Sequence, residues 1–328
     1  MLARLKPDTF TLLLVGMVVL ASVLPIQGEA AHLFGIATNI AIALLFFLHG
    51  ARLSRETVIA GATHWRLHLT ILAATFVLFP VLGLIIWLTL PGLLTPALAS
   101  GILFLCVLPS TVQSSIAFTS IAGGNIPAAV CAASASNIFG IFLTPLLVGL
   151  LFGVHGAAGG GSSAVWSIVE QLLLPFLAGQ ALQPFVGDFI RKHRKALSFV
   201  DRGSILMVVY LAFSEAIVEG LWHQFSAAAL ITMVIVDMAL LAFVLVSTTW
   251  ASRRLGFSKE DEIAIVFCGS KKSLASGVPM ANVIFAGQNI GAIVLPIMLF
   301  HQIQLMACAV LARRYAAHRL DGVEAAAE

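Results

Sequence analysis

Charged side chains are scarce in this chain. Asp, Glu, Lys and Arg make up 10% of its 328 residues, against about 25% in an ordinary soluble domain, too few to cover a water-facing surface. Nucleic-acid binding is excluded with it, because tracking phosphates takes clustered cations. Cysteine is scarcer still. Cys106, Cys131, Cys268 and Cys308 lie in apolar segments at unrelated spacings, which gives neither a disulfide framework nor a zinc knuckle. Enzyme signatures are missing too: there is no H-E-x-x-H stretch and no paired Asp at membrane depth, and Gly269-Ser270-Lys271 is no phosphate-binding loop, since the position five before Gly269 is Ala264 rather than glycine. What is abundant is apolar. Hydrophobic residues make up 60% of the chain, the mean hydropathy is +1.03, and apolar runs repeatedly reach the ~18 residues needed to cross a bilayer.

Apolar windows bounded by Gly, Pro and charge predict an all-α polytopic membrane protein of ten transmembrane helices, over 9–26, 33–51, 67–90, 96–121, 126–152, 163–186, 203–221, 226–250, 262–284 and 289–312. The first follows Arg4 and Lys6 but lacks a small-residue cleavage site, and reads as a retained helix rather than a signal peptide. Of the 18 Lys and Arg residues, all but two fall in the N-terminus, the C-terminal tail, or the connections between spans 2 and 3, 6 and 7, and 8 and 9. On a ten-span scaffold these all share one face. Basic loops stay in the cytoplasm, so both termini are expected on the inner side of the cell's inner (plasma) membrane.

The two exceptions are Lys271 and Lys272, consecutive in the ninth span and about ten residues, or ~15 Å, from its cytoplasmic end. A charge at that depth costs roughly 2.5–3.5 kcal/mol on insertion scales, so a cavity or a counter-ion has to offset it.

The stretch His155 to Ser163 divides the chain into a first five-helix repeat, 1–152, and a second, 163–312, followed by a cytoplasmic tail, 313–328. An odd number of spans per half makes any duplication an inverted repeat. The fourth span carries Pro109-Ser110-Thr111-Val112-Gln113-Ser114-Ser115, and the ninth carries Gly269-Ser270-Lys271-Lys272-Ser273. In each, a helix-breaking residue is followed by a polar cluster in an otherwise apolar segment, which predicts an interrupted helix whose freed backbone groups surround a cavity. Interrupted helices at matching places of two inverted halves point to a transporter's binding site near the midplane. The plainer alternative is a pair of kinked helices whose hydroxyls bond back to the preceding turn.

These residues resemble the bile acid:sodium symporter family (solute carrier family ten), in particular the branch that holds its seventh member and bacterial relatives. The similarity spans nearly the whole chain and is most specific at Pro109 to Asn125, Thr144-Pro145-Leu146-Leu147, Phe267 to Leu274, Gly277-Val278-Pro279-Met280 and Phe300 to Met306. It implies ten helices as two inverted repeats, with broken fourth and ninth helices that cross. Helices 3–5 and 8–10 would form a core, and helices 1, 2, 6 and 7 a panel. In sodium-coupled members the ninth helix is similar to E-x-G-x-Q-N-S. Aligned on Gly269, Phe267 takes the place of the Glu, Lys271 of the Gln, Lys272 of the Asn and Ser273 of the Ser. The carboxylate is gone and two cations replace neutral ligands. Elsewhere the implied positions persist in modified form as Ser114, Ser115, Asn125, Ser134, Ser136, Asn137 and Thr75.

The substrate- or ion-binding set is therefore Thr75, Gln113, Ser114, Ser115, Ser134, Ser136, Asn137, Ser270, Lys271, Lys272, Ser273 and His301, with His49, Glu215, Asp237 and Gln302 as further cavity or relay positions. One reading makes Lys271 or Lys272 a tethered ammonium where relatives bind sodium; the other pairs a lysine with Asp237 midway along the eighth helix. His301 fits a proton relay or an interhelical hydrogen bond. His49 and Glu215 would face the cavity or each other. The expectation is a secondary active transporter of a small organic anion working by alternating access in lipid, without cofactor or metal, and with Na+ or H+ as the possible coupling ion. The alternative is a regulatory membrane protein that modulates ion entry without carrying a solute. A channel is disfavoured because the polar residues concentrate at two breaks rather than lining a path.

Overall fold

The computed structural model describes residues 9–52, 64–90, 92–154, 169–218, 226–286 and 288–324. Within them the chain is helical and forms no strand. In order come α1 (Thr9–Val23), α2 (Gly28–Arg52), α3 (Trp65–Thr89), α4 (Pro96–Val107), α5 (Gln113–Ala122), α6 (Ile126–Val154), α7 (Leu174–Lys192, entered through a π turn at Val169–Leu173), α8 (Arg194–Val218), α9 (Ala227–Arg254), α10 (Lys259–Gly269), α11 (Leu274–Ile284) and α12 (Ile290–Glu324). Among the described residues, six helices are long and apolar enough to cross a membrane: Gly28–Arg52, Trp65–Thr89, Ile126–Phe152, Ala196–Val218, Ala227–Arg254 and Ile290–Ala317. The protein is a multi-pass membrane protein. Its fourth and ninth expected spans each fall on a pair of short helices, α4 with α5 and α10 with α11.

Local chemistry starts these helices. Thr95 accepts from the Leu98 N–H ahead of Pro96 at the first turn of α4. Ser226, Ser258 and Ser273 cap α9, α10 and α11 in the same way. Glu260, Asp261 and Glu262 add negative charge to the first turn of α10, the end where a helix dipole favours it. Exposed apolar side chains such as Val77, Ile235, Val246 and Phe199 are what a lipid-facing surface requires.

One boundary differs from expectation. The sixth and seventh spans were placed at 163–186 and 203–221 with a basic loop between them, but α7 runs on to Lys192 and α8 starts at Arg194, so His193 alone separates them. Hydropathy marks where a helix leaves the hydrocarbon, not where it stops. Here the basic residues sit on helical turns that outlast the apolar stretch. The tail expected from 313 likewise begins as helix, since α12 continues to Glu324. Arg4, Lys6, Arg55 and the His155–Ser163 stretch lie outside the described residues.

Two sets of helices pack among themselves and meet where α8 lies against α11 and α12. α2 lies against α7 and α8, and α1 against α8. The α2–α7 contact is a seam of small residues: a Cβ on Gly50 would strike the Phe176 carbonyl, and one on Gly179 the Phe47 carbonyl. Arg52 pairs with Asp201 at 2.6 Å beside it. In the other set, α12 packs on α4, α5, α9 and α11, while α10 packs on α5, α6 and α9. One end of this second set is tied by Glu262, which accepts from Arg253 (2.9 Å), Lys259 (2.6 Å) and Tyr315 (3.0 Å), and by Asn125, which donates to Asp261 at 2.8 Å.

Candidate functional site

The two interrupted helices meet at their interruptions. Pro109 cannot supply the N–H that would continue α4, and the chain runs non-helically from Leu108 to Val112 before α5 begins. The second interruption, Ser270 to Ser273, separates α10 from α11. The Ser273 N–H donates to the Pro109 carbonyl at 2.8 Å. Ser110 Oγ donates to the Cys268 carbonyl at 2.5 Å, and Ser115 Oγ to the Phe267 carbonyl at 3.0 Å. Each break thus satisfies carbonyls that the other cannot, as a dry interior demands.

α6 closes one side of the crossing. Ser136 Oγ accepts from the Ser110 N–H at 3.0 Å, Thr144 donates to the Val107 carbonyl at 2.8 Å, and the Asn137 amide donates to the Ser110 carbonyl at 2.8 Å while accepting from Ser276 at 2.9 Å. Asn137 therefore holds both broken helices. α12 closes the other side. Gln304 accepts from the Lys272 N–H at 2.9 Å and donates to the Lys272 carbonyl at 3.0 Å, and its amide meets His301 Nδ1 at 2.9 Å.

The Lys272 ammonium lies at the centre, buried, with its three donors on the carbonyls of Thr75, Cys106 and Leu108, each at 2.8 Å. Interruptions of the helical ladder leave these acceptors free. In the π turn Ala74–Leu78 the Phe79 N–H goes back to Ala74, and the next residue, Pro80, has no N–H to give Thr75. The N–H that a continued α4 would return to Cys106 is that of Ser110, which goes to Ser136 Oγ instead. The Phe79 ring centroid lies 4.1 Å from the same ammonium.

Lys271 is different. It is equally buried, yet its ammonium has no hydrogen-bond acceptor among the described residues. It lies 3.9 Å from the centroid of Phe118 and 5.6 Å from that of Phe267, near the thiols of Cys268 and Cys308. Neither lysine forms an ion pair with Asp237 among the described residues, and both Asp237 oxygens there lack a partner. Asp237 is fully buried on α9, within electrostatic reach of Cys106, as Lys272 is.

Of the residues singled out from the sequence, Thr75, Ser115, Ser136, Asn137, Ser270, Lys271, Lys272, Ser273 and His301 all lie at or against the crossing. Ser114 joins them through Thr111, at 2.8 Å. Gln113 is exposed at the first residue of α5, and Ser134 is half-buried on α6. Gln302 is half-buried beside His301 on α12. His49 and Glu215 lie on α2 and α8, two helices that pack together. His49 lies within electrostatic reach of Asp201 and Arg52, and Glu215 is 14 residues beyond Asp201 on α8, about 21 Å along the axis. Their matching depth in two halves says nothing about which face each occupies. Thr144, Ser276 and Gln304 complete the shell without having been assigned to it. Gln304 was readable as a polar residue one turn from His301.

A model of the SBF-like CPA transporter family matches residues 8–317 of this chain. The chain belongs to that family. As a member it is a membrane transporter rather than an enzyme, acting on a small molecule within a lipid bilayer. It is 56% identical to "Putative symporter YfeH" of Escherichia coli over 94% of its own length and 92% of that protein's. It is 30% identical to "Sodium/bile acid cotransporter 7-B" of Xenopus laevis, with 95% and 92% covered, and 30% identical to "Sodium/bile acid cotransporter 7" of Rattus norvegicus, with 83% and 81% covered. The similarity runs through both breaks, so the crossing belongs to the matched region.

Proposed function

We propose that the chain is a secondary active transporter of a small organic anion, built as ten membrane-spanning segments in two inverted five-helix repeats, with both termini in the cytoplasm of an inner (plasma) membrane. The helices around the two breaks, α3–α6 and α9–α12, act as a core that moves against the α1, α2, α7 and α8 panel, exposing the crossing to each side in turn. The names of the vertebrate relatives supply the class of cargo. The electrostatics of the crossing favour the same sign: two ammonium groups with no carboxylate paired to them among the described residues, beside the N-termini of α5 and α11, where the helix dipole is positive.

The observation that carries the reading is the Lys272 ammonium on three backbone carbonyls. A monovalent cation held by main-chain oxygens is what a coupling-ion site provides, and here the cation is covalently attached. Phe267 stands where the resemblance calls for a carboxylate, so a sodium ion would find its acceptors taken and a like charge beside it. Transport therefore proceeds without sodium.

Uptake of taurocholate and of short aromatic carboxylates into liposomes holding the purified protein tests this, with sodium and proton gradients imposed separately. Accumulation in sodium-free buffer is expected. A strict sodium requirement overturns the tethered-cation reading, and no accumulation of any anion favours a regulatory role.

A further inference from the structure

The two adjacent lysines are spent differently. Every N–H of the Lys272 ammonium is used, on Thr75, Cys106 and Leu108. The Lys271 ammonium uses none among the described residues, although the residue is fully buried. What it has instead is the face of Phe118 at 3.9 Å, and Phe267 farther off at 5.6 Å. An aromatic face attracts a desolvated cation but satisfies none of its N–H donors, so three strong donors stand unspent beside the crossing. Phe118 is half-buried on α5, one turn beyond Ser114, which is itself only partly covered. Gln113, at the first residue of α5, is exposed.

We infer that Lys271 is the residue that grips the anionic head of the cargo, a carboxylate or sulfonate, and that the Phe118 ring is its resting perch, from which it swings when the anion arrives. This rests on the reading of the chain as an anion carrier. Lys272 holds the crossing together and Lys271 is the exchangeable charge. The perch competes with the cargo: apparent affinity falls by the fraction of molecules whose ammonium is stowed on the ring. Removing the ring and removing the amine therefore act in opposite directions, whereas two merely structural residues in one apolar cluster would act in the same direction.

The test is thermal stabilisation of the detergent-purified full chain by taurocholate, acetate and benzoate at constant ionic strength, for the wild type, Lys271→Gln and Phe118→Leu. Lys271→Gln should raise the half-maximal concentration by about tenfold or more, the weight of a lost charge-assisted contact. Phe118→Leu should lower it about fivefold, the weight of one cation–π contact, while reducing the melting temperature without ligand. Equal anion binding by wild type and Lys271→Gln overturns the assignment and leaves the carrier reading standing. Weaker rather than tighter binding by Phe118→Leu overturns the perch, and decides the matter even if Lys271→Gln does not fold. No stabilisation of the wild type by any of the three anions removes the carrier reading and the assignment with it.

Discussion

The α4–α5 break and the α10–α11 break reach the same shape by different means. The first is made by proline and lined by neutral groups: its carbonyls at Val107, Leu108, Pro109 and Ser110 are taken by Thr144, Lys272, the Ser273 N–H and Asn137. The second has no proline at the interruption, is held on both sides of Lys272 by the single side chain of Gln304, and brings all the charge. Toward the ammonium the first break is the acceptor and the second the donor, while Ser110 and Ser115 return hydroxyl hydrogen bonds to the Cys268 and Phe267 carbonyls. A proline break leaves carbonyls without N–H partners, and a lysine from the opposite break, with three donors and no acceptor, is a matching partner for them.

Removing the donor should have the largest effect. Lys272→Met leaves the carbonyls of Thr75, Cys106 and Leu108 orphaned in a dry interior, at about 1–3 kcal/mol each, offset in part because no ammonium need be desolvated. A marked fall in melting temperature is expected. The comparison is sharpened by salt: if the acceptors form a cation cage, sodium should raise the melting temperature of Lys272→Met more than potassium or choline does, and should do nothing for the wild type. A variant indifferent to sodium would mean that the carbonyls serve only to anchor a lysine.

Asn137→Ala comes next. It removes the α6 side chain that holds both broken helices, leaving the Ser110 carbonyl without its amide donor and the Ser276 hydroxyl without its acceptor, a loss of roughly 1–3 kcal/mol read as a lower melting temperature. Asn137→Asp keeps the acceptor for Ser276 but loses the donor, and should recover only part. Equal melting temperatures for Asn137→Ala and the wild type would mean that the two breaks hold each other without α6.

Much of this was legible in the residues. Pro109 and the polar runs after it and after Gly269 announce broken helices, because a helix-breaking residue followed by serines, an amide or lysines in an apolar span needs partners that a continuous helix does not supply. What pattern could not supply was direction. Consecutive residues on a regular helix diverge by about 100°, and an interrupted one relaxes even that, so nothing in the order of Lys271 and Lys272 says which one turns toward Thr75 and which toward Phe118. The main-chain acceptors were equally hidden, since a carbonyl has no letter of its own, although Pro80 set five residues after Thr75 is a readable reason for one to be free. The same holds for His49 and Glu215: depth in a membrane follows from sequence position, while the face a residue occupies follows from packing.

The smallest expected effect separates a site whose charge is carried by carbonyls and rings from one balanced by a buried acid. Asp237 is the obvious counter-ion by depth, yet neither of its oxygens has a partner among the described residues, and no ion pair joins it to a lysine there. If the crossing depended on a carboxylate there, Asp237→Asn would leave an ammonium uncompensated and cost several kcal/mol, as breaking a buried pair does. If the lysines are held by the Thr75, Cys106 and Leu108 carbonyls and by Phe118, the amide substitutes one buried polar group for another of nearly equal size, and the melting temperature should stay within the shift of about 1 kcal/mol or rise. Combining Asp237→Asn with Lys272→Met settles the coupling. Additive losses mean that the two groups act independently, as expected for residues without a shared contact, and a double variant no worse than Lys272→Met alone would mean that the acid and the ammonium form one unit.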